Sequence, residues 1–198
     1  MRMVVATKNK GKIKEITEIL QDLGIQVVSQ DELNIKIDVV EDGTTFEENA
    51  VKKASEIMNI SKEITLADDS GLEVDYLNGA PGIYSARYAG PNATDYDNNN
   101  KLLKALEGVP FEKRTARFVC AIAAVFPDGR KIVARGECEG IINFQPAGQN
   151  GFGYDPLFYI PEYGMTMAEI DPQLKNKISH RAKALNMLKE ELKKYISL

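Results

Sequence analysis

The chain has no tryptophan, one histidine and two cysteines among 198 residues. Each scarcity excludes a class of chemistry. With only His180, no HExxH or HxH zinc motif can be built, and any Ser-His or Cys-His nucleophile would have to use that one imidazole. Cys120 and Cys138 form no CxxC and no zinc set. Cys120 lies in the apolar run Phe118-Val119-Cys120-Ala121-Ile122 and reads as a buried thiol in a reducing compartment. No apolar run approaches the roughly 18 residues of a membrane span, and the stretch from Met1 to Lys8 is too short for a signal peptide. A cytoplasmic location and no membrane partner are therefore expected. The net charge of −4 speaks against general nucleic-acid binding, though local basic clusters can still hold a small polyanion.

What is present is an ordinary globular composition, 43% hydrophobic and 27% charged. The length predicts one domain, or a compact two-lobed one, over residues 1–198. Met3 to Ala6 reads as a strand, Thr7 to Lys12 as a polar loop, and Ile13, Ile16, Ile19, Leu20 and Leu23 as one helical face closed by Gly24. Val27-Val28 and Ile35 to Val40 read as strands. Thr44 and Thr45, at capping-box spacing before Glu47 and Glu48, predict a helix to about Asn59, with Phe46, Ala50, Ala54, Ile57 and Met58 inward. Ile64 to Ala67 and Leu72 to Leu77 read as two strands interrupted by the turn-like Asp68-Asp69-Ser70-Gly71.

Asn78 to Asn92 reads as a long loop and Thr94 to Leu106 as a capped helix. Thr115 to Phe126 and Arg130 to Gly136 read as a hairpin, which Ile141 to Phe144 extends. Gln145 to Pro156 reads as a Gly-rich loop and Leu157 to Ile160 as a strand. Ser179 is expected to cap a last helix with Ala182, Leu185, Leu188, Leu192 and Ile196 on one face. The mixture predicts an α/β fold with a mixed sheet.

Four segments carry candidate chemistry. Thr7, Lys8, Asn9, Lys10, Gly11 and Lys12 put three lysines at a helix start, where they oppose the macrodipole unless a phosphate sits there; the spacing is not a Walker A motif. Asp68-Asp69 follows a buried strand, the place where α/β proteins put ligands, and side-chain alternation argues against both carboxylates sharing a face. Glu41-Asp42-Gly43, just before a helix, offers a further oxygen ligand for a divalent cation such as Mg²⁺, which takes only one or two carboxylates besides waters and phosphates. Gly151 to Pro156 brackets Phe152 and Tyr154 with glycines and adds Asp155. Lys175 to Arg181 places His180 and Arg181 at a helix start, as donors for a purine O6 or a phosphate.

Together these segments resemble the inosine triphosphate pyrophosphatase family, the Ham-type non-canonical purine NTP pyrophosphatases, from Val4 to the last helix. Ala6 to Lys12, Thr45 to Ala50, Ala67 to Leu72, Gly79 to Tyr88, Gly151 to Pro156 and Ile178 to Arg181 match in order. Each is weak alone; all six in order are specific. The resemblance implies an α/β fold with an elongated mixed sheet flanked by helices, two lobes with a central nucleotide cleft, and a homodimer. It implies hydrolysis of ITP, dITP or XTP to the monophosphate and pyrophosphate with Mg²⁺. By the same resemblance Thr7 to Lys12 form the phosphate loop, and Lys53 is a further phosphate-side lysine. Glu41 and Asp69 hold the metal, Asp69 is also the base, and Ser70 contacts substrate. Phe152, Gly153, Tyr154, Asp155, Lys175, His180 and Arg181 surround base and ribose. Met167 to Leu174 departs from the commoner pattern, with Leu174 where an acid often precedes the lysine. Two other readings stay open. The Maf-like pyrophosphatases share the opening loop but not Phe152-Gly153-Tyr154-Asp155 or Ser179-His180-Arg181. A nucleotide- or RNA-binding module without turnover is opposed by the net charge and by Asp68-Asp69.

Overall fold

Short runs around paired valines make the first two strands, a long apolar run makes the central one, and polar-faced segments with caps make the main helices. The computed structural model describes residues 2–196; Met1, residues 197–198 and the side chain of Ile196, which the spacing predicts on the last helix's apolar face, lie outside the described residues. The strands are β1 (Arg2–Val5), β2 (Gln26–Ser29), β3 (Thr65–Val74), β4 (Thr115–Val125), β5 (Lys131–Ile142), β6 (Phe158–Ile160) and β7 (Met165–Thr166). The helices are α1 (Lys10–Leu20), α2 (Phe46–Ser61), α3 (Asp95–Ala105), α4 (Pro172–Ile178) and α5 (His180–Ile196). The strands order as β2-β1-β3-β4-β5-β6-β7 in one sheet. β1 is parallel to β2 and β3, while β6 is antiparallel to β5 and β7, so the sheet is mixed as the composition of elements predicts.

The chain divides into two compact units, with the divisions falling inside β3, β4 and β5 and between α4 and α5. The first comprises Met1–Asp69, Cys120–Gly136 and His180–Leu198. Its core joins Met3, Val5, Ile16, Leu20, Leu66, Ile122, Leu185 and Leu188, so α1 and α5 bury their apolar stripes on the strands. Within it Gly136 admits no side chain, since a Cβ would lie 2.2 Å from the carbonyl oxygen of His180 and 2.5 Å from the nitrogen of Ala184. Strand β5 thereby approaches the start of α5 backbone to backbone. The second comprises Ser70–Val119 and Glu137–Ser179, with a core of Leu72, Leu102, Leu106, Phe118, Ile142, Phe158 and Met167.

Several local expectations give way. Asp68-Asp69-Ser70-Gly71 is no turn: β3 runs through it, because Asp68 and Asp69 find ion-pair and hydrogen-bond partners that replace water. Ile35 to Val40 is not a strand; the amide of Gln30 donates to the carbonyls of Ile35 and Ile37, both at 3.3 Å, and holds the segment irregular. Helix α1 starts at Lys10 rather than Ile13, because the Asn9 side chain accepts from the Lys12 N–H at 3.1 Å and caps it. Lys131 to Gly136 and Ile141-Ile142 belong to one strand, β5, and Arg130 lies before it. Inside the long loop, Gly82–Arg87 forms a 3₁₀ turn. Helix α4 was not legible from periodicity in seven residues; Asp171 caps it and Pro172 occupies its first turn. Ser179 ends α4 in an extended conformation before α5 begins at His180. Among the described residues no helix is long and apolar enough to cross a membrane.

Candidate active site

In the first unit the end of β1 delivers Thr7, Lys8 and Asn9 as an extended lead into α1. Asn9 is spent on the cap, and its own N–H donates to the Thr7 hydroxyl at 3.2 Å. Lys10, Gly11 and Lys12 form the first helical turn, with no acid among them to offset the positive end of the helix dipole. Lys8 and Lys10 are exposed. Lys8 Nζ pairs with Asp38 Oδ1 at 2.5 Å, and Lys12 Nζ with Asp68 Oδ1 at 2.6 Å. A cavity of about 190 Å³ is lined by Thr7, Lys8, Gln30, Asp38, Glu41 and Lys53, among others.

Strand alternation sends Asp68 and Asp69 to different partners. The Asp68 side chain has no exposed surface; Arg181 Nε lies 3.0 Å from its Oδ2, and the Cys120 thiol approaches the same oxygen at 3.5 Å. Arg181 Nη1 reaches Glu15 Oε2 at 2.5 Å. Arg181 is 1% exposed, and although burial works against its charge, Asp68, Cys120 and Glu15 outweigh burial and hold it firmly protonated. Asp69 lies opposite, 7% exposed, with Oδ2 accepting from Asn49 Nδ2 at 3.0 Å. Burial and then the negative charge of Glu41 push the Asp69 carboxyl up to about 6, against the pull of Lys53, the Asn49 hydrogen bond and Lys12. Lys53 Nζ pairs with Glu41 and donates to the Asp68 carbonyl at 3.2 Å. Burial disfavours its ammonium, but Glu41, Asp68 and Asp69 more than compensate and raise it above the ordinary value.

Two buried or half-buried carboxylates that repel one another, as Glu41 and Asp69 do, are the donor set a hard divalent cation relieves. Among the described residues no three His, Cys, Asp or Glu side chains converge as a metal cage. The pair fits Mg²⁺, which leaves the rest of its shell to water and phosphate. Glu41→Gln should lower the Asp69 midpoint in the metal-free protein, because it removes the charge that raises it. Carboxyl ¹³C NMR titration measures this, and an unchanged midpoint would detach Glu41 from Asp69.

Ser70 follows on β3, half-buried. His180 is buried at the start of α5, 6% exposed.

In the second unit Gly151 allows a close approach: its φ is +77° and a Cβ would lie 2.0 Å from Asp155 Oδ2. That oxygen accepts from the Phe152 N–H at 2.9 Å and from Lys175 Nζ at 2.8 Å. Lys175 Nζ also lies 4.9 Å from the centroid of the Phe152 ring, within cation–π range. The Gly153 peptide is clamped by α3, its N–H donating to Asp95 Oδ2 at 2.7 Å and its carbonyl accepting from Asn99 Nδ2 at 2.9 Å. The Tyr154 hydroxyl donates to the Ser85 carbonyl at 2.8 Å, and burial pushes that phenol up. Phe152, Gly153, Tyr154, Asp155 and Lys175 are thus one preorganised group, with the face of an aromatic ring and a buried ion pair.

Sequence reasoning missed Glu15, Asp38, Asn49, Asp95 and Asn99. Asn49 carried a signal: it stands four residues before Lys53, so the two share a face of α2. The others carry none, since each partner is distant along the chain.

A sequence profile described as the Ham1 family matches residues 3–191. The chain is 56% identical over 192 residues to the dITP/XTP pyrophosphatase of Desulforamulus reducens, covering 97% of this chain and 96% of that one. It is 53% identical to the dITP/XTP pyrophosphatase of Clostridium perfringens, covering 97% of each. Among solved structures it is similar to the Staphylococcus aureus Ham1 protein, with a TM-score of 0.88 and 44% identity over 98% of this chain and all of that one. A HAM1 protein from Coxiella burnetii gives a TM-score of 0.89 and 44% identity over 98% and 99% of the two chains.

Proposed function

The chain belongs to the Ham1 family, and from that premise we propose that it hydrolyses non-canonical purine nucleoside triphosphates, dITP, XTP and ITP, to the monophosphate and pyrophosphate. The observation that carries this reading is the pair Glu41 and Asp69 set among Lys12 and Lys53, in a chain similar along nearly its full length to dITP/XTP pyrophosphatases. The whole chain, 1–198, acts in this reading as one nucleotide pyrophosphatase domain, and as a homodimer, which sedimentation of the purified protein tests.

Triphosphate hydrolysis needs charge neutralisation and an aligned water more than covalent chemistry. Thr7 to Lys12 and Lys53 take the phosphates: the helix start supplies N–H groups, and the lysines offset charge that grows on the departing pyrophosphate. Each lysine paired with a carboxylate in this structure exchanges that partner for a phosphate oxygen. Glu41 and Asp69 would hold Mg²⁺, which would neutralise phosphate charge and favour ionisation of a nearby water. Asp69 accepts the proton of the attacking water. Its carboxyl stands at about 6 in the metal-free chain, through burial and Glu41, and a bound cation would draw it down. The α–β anhydride bond breaks, one water is consumed, and the proton passes to solvent through Asp69. Ser70 contacts the substrate beside it.

Phe152 offers its ring to the base. Gly153, Tyr154 and Asp155 shape the surface for base and ribose, and Lys175, His180 and Arg181 are the donors for a purine O6. Hypoxanthine and xanthine carry an acceptor at that position; adenine carries a donor, so ATP would meet those donors with another donor. A site that hydrogen-bonds one group can reject its opposite by up to roughly 10⁴–10⁵.

The test is a panel of dITP, XTP, ITP, dATP and dTTP with Mg²⁺, pyrophosphate and orthophosphate being measured separately. Pyrophosphate from the first three and little from dATP or dTTP is expected. Preference for dTTP would move the chain toward pyrimidine-directed enzymes, and absence of pyrophosphate from every nucleotide would sink the reading.

A further inference from the structure

Asn49 is 1% exposed, and both ends of its amide are used. Its Oδ1 accepts from the Gly43 N–H at 2.8 Å, and its Nδ2 donates to Asp69 Oδ2 at 3.0 Å. A backbone N–H can only donate, so the orientation of the amide is fixed by its partners. One end therefore holds the segment Glu41-Asp42-Gly43, and the other holds β3 at Asp69. Four residues on, Lys53 repeats the pattern from the same face of α2, pairing with Glu41 and donating to the Asp68 carbonyl. The approach of Gly43 is close enough to exclude a side chain, since a Cβ would meet Asn49 Oδ1 at 2.7 Å and Glu48 Cβ at 2.9 Å.

We propose that Asn49 is a positioning residue that sets the separation of Glu41 and Asp69 for a divalent cation. The assignment rests on the functional reading above for the reaction served, and on Glu41 and Asp69 for the cation. No other common side chain does the same task at this length. Aspartate cannot donate to Asp69 when ionised, serine is too short to span both partners, and glutamine adds a methylene to a buried contact. The residue touches neither water nor nucleotide in the proposed reaction; it acts through the two carboxylates.

The experiment compares wild type, Asn49→Ala, Gly43→Ala and Thr45→Ala. Thr45→Ala removes the α2 cap, whose hydroxyl accepts from the Glu48 N–H at 3.1 Å, and so weakens the same helix without touching the amide. Two readouts are taken: the rise in melting temperature of nucleotide-free protein with added Mn²⁺, and the Mg²⁺ concentration for half-maximal dITP turnover. Removing groups that orient metal ligands typically costs about 10–100-fold in metal affinity. Asn49→Ala is expected to shift both readouts to at least about tenfold higher metal, while KM for dITP at saturating metal stays near that of wild type. Gly43→Ala, which displaces the same brace from its other side, should do likewise and serves if Asn49→Ala does not fold. Thr45→Ala should keep the wild-type metal response. The proposal is overturned if Asn49→Ala and Gly43→Ala respond to Mn²⁺ as wild type does, if Thr45→Ala loses the response equally, or if Mn²⁺ never stabilises wild type. A wild type that binds Mn²⁺ but hydrolyses no nucleotide defeats the functional reading and leaves Asn49 testable by the first readout. A wild type that hydrolyses dITP with an unchanged metal demand in Asn49→Ala defeats only the role of Asn49.

Discussion

Asp69→Asn is expected to cut dITP turnover by about a thousandfold, within the range a general base supplies, and at the same time to stabilise the metal-free protein above pH 7. The two effects have one origin. In the folded chain the Asp69 carboxyl is held at about 6 against an ordinary 3.8, first by burial and then by Glu41. A raised carboxyl favours the folded state in its protonated form. Its contribution is fully present below about pH 4 and is lost as pH rises through 6. At pH 8 the ionised carboxylate costs up to about 3 kcal/mol, from two pKa units at about 1.4 kcal/mol each. Asparagine has no such charge and can still accept from Asn49 through its carbonyl. Melting curves in EDTA should place Asp69→Asn several degrees above wild type at pH 8 and level with it at pH 4. Added Mg²⁺ should raise wild type and leave the variant nearly unmoved. Equal melting temperatures at pH 8 would mean that Asp69 is not a strained, ionised carboxylate there.

The second large effect belongs to Arg181→Ala. Arg181 carries two ion pairs inside the first unit, to Asp68 and Glu15. Removing one partner of a buried pair leaves an uncompensated charge and costs about 3–5 kcal/mol. For a chain of this size that corresponds to a fall in melting temperature of roughly 10 °C. Arg181→Lys should recover only part of the loss, because an ammonium cannot span two carboxylates as the planar guanidinium does. The proposed base-reading role is then tested by the ratio of dITP to dATP turnover, at a temperature where the variant remains folded. A ratio that narrows supports that role; a lower melting temperature with the ratio intact leaves Arg181 as a brace for Asp68. A variant as stable as wild type would contradict the geometry itself.

The sequence was most informative where structure depends on neighbours along the chain. Thr45 accepts from Glu48, and Thr94 and Asp97 close a full capping box; both helices begin where the spacing of their caps requires. Short runs around paired valines became β1 and β2, the long apolar run became β4, and the alternation of buried and exposed residues in Lys131–Ile142 became β5. The six motif segments were legible for the same reason: each is a contiguous string. By itself, then, the sequence determined the α/β class, the caps of α2 and α3, the family, and the types of side chain available to the site.

Tertiary structure decided what those side chains face. Asp68-Asp69-Ser70-Gly71 has turn chemistry locally, yet it lies within β3. Asp68 meets Arg181 from 113 residues away and Cys120 from 52, while Asp69 meets Asn49 from 20. Local preference amounts to tenths of a kcal/mol, whereas a buried carboxylate without a partner costs several, so the distant partners win. The same contest assigns two adjacent aspartates to different tasks, one pinned among cations and the other raised to about 6 by burial and Glu41. Neither outcome is written in the Asp-Asp pair, because burial and the charge of residues far along the chain set it, and both exist only once the chain has folded.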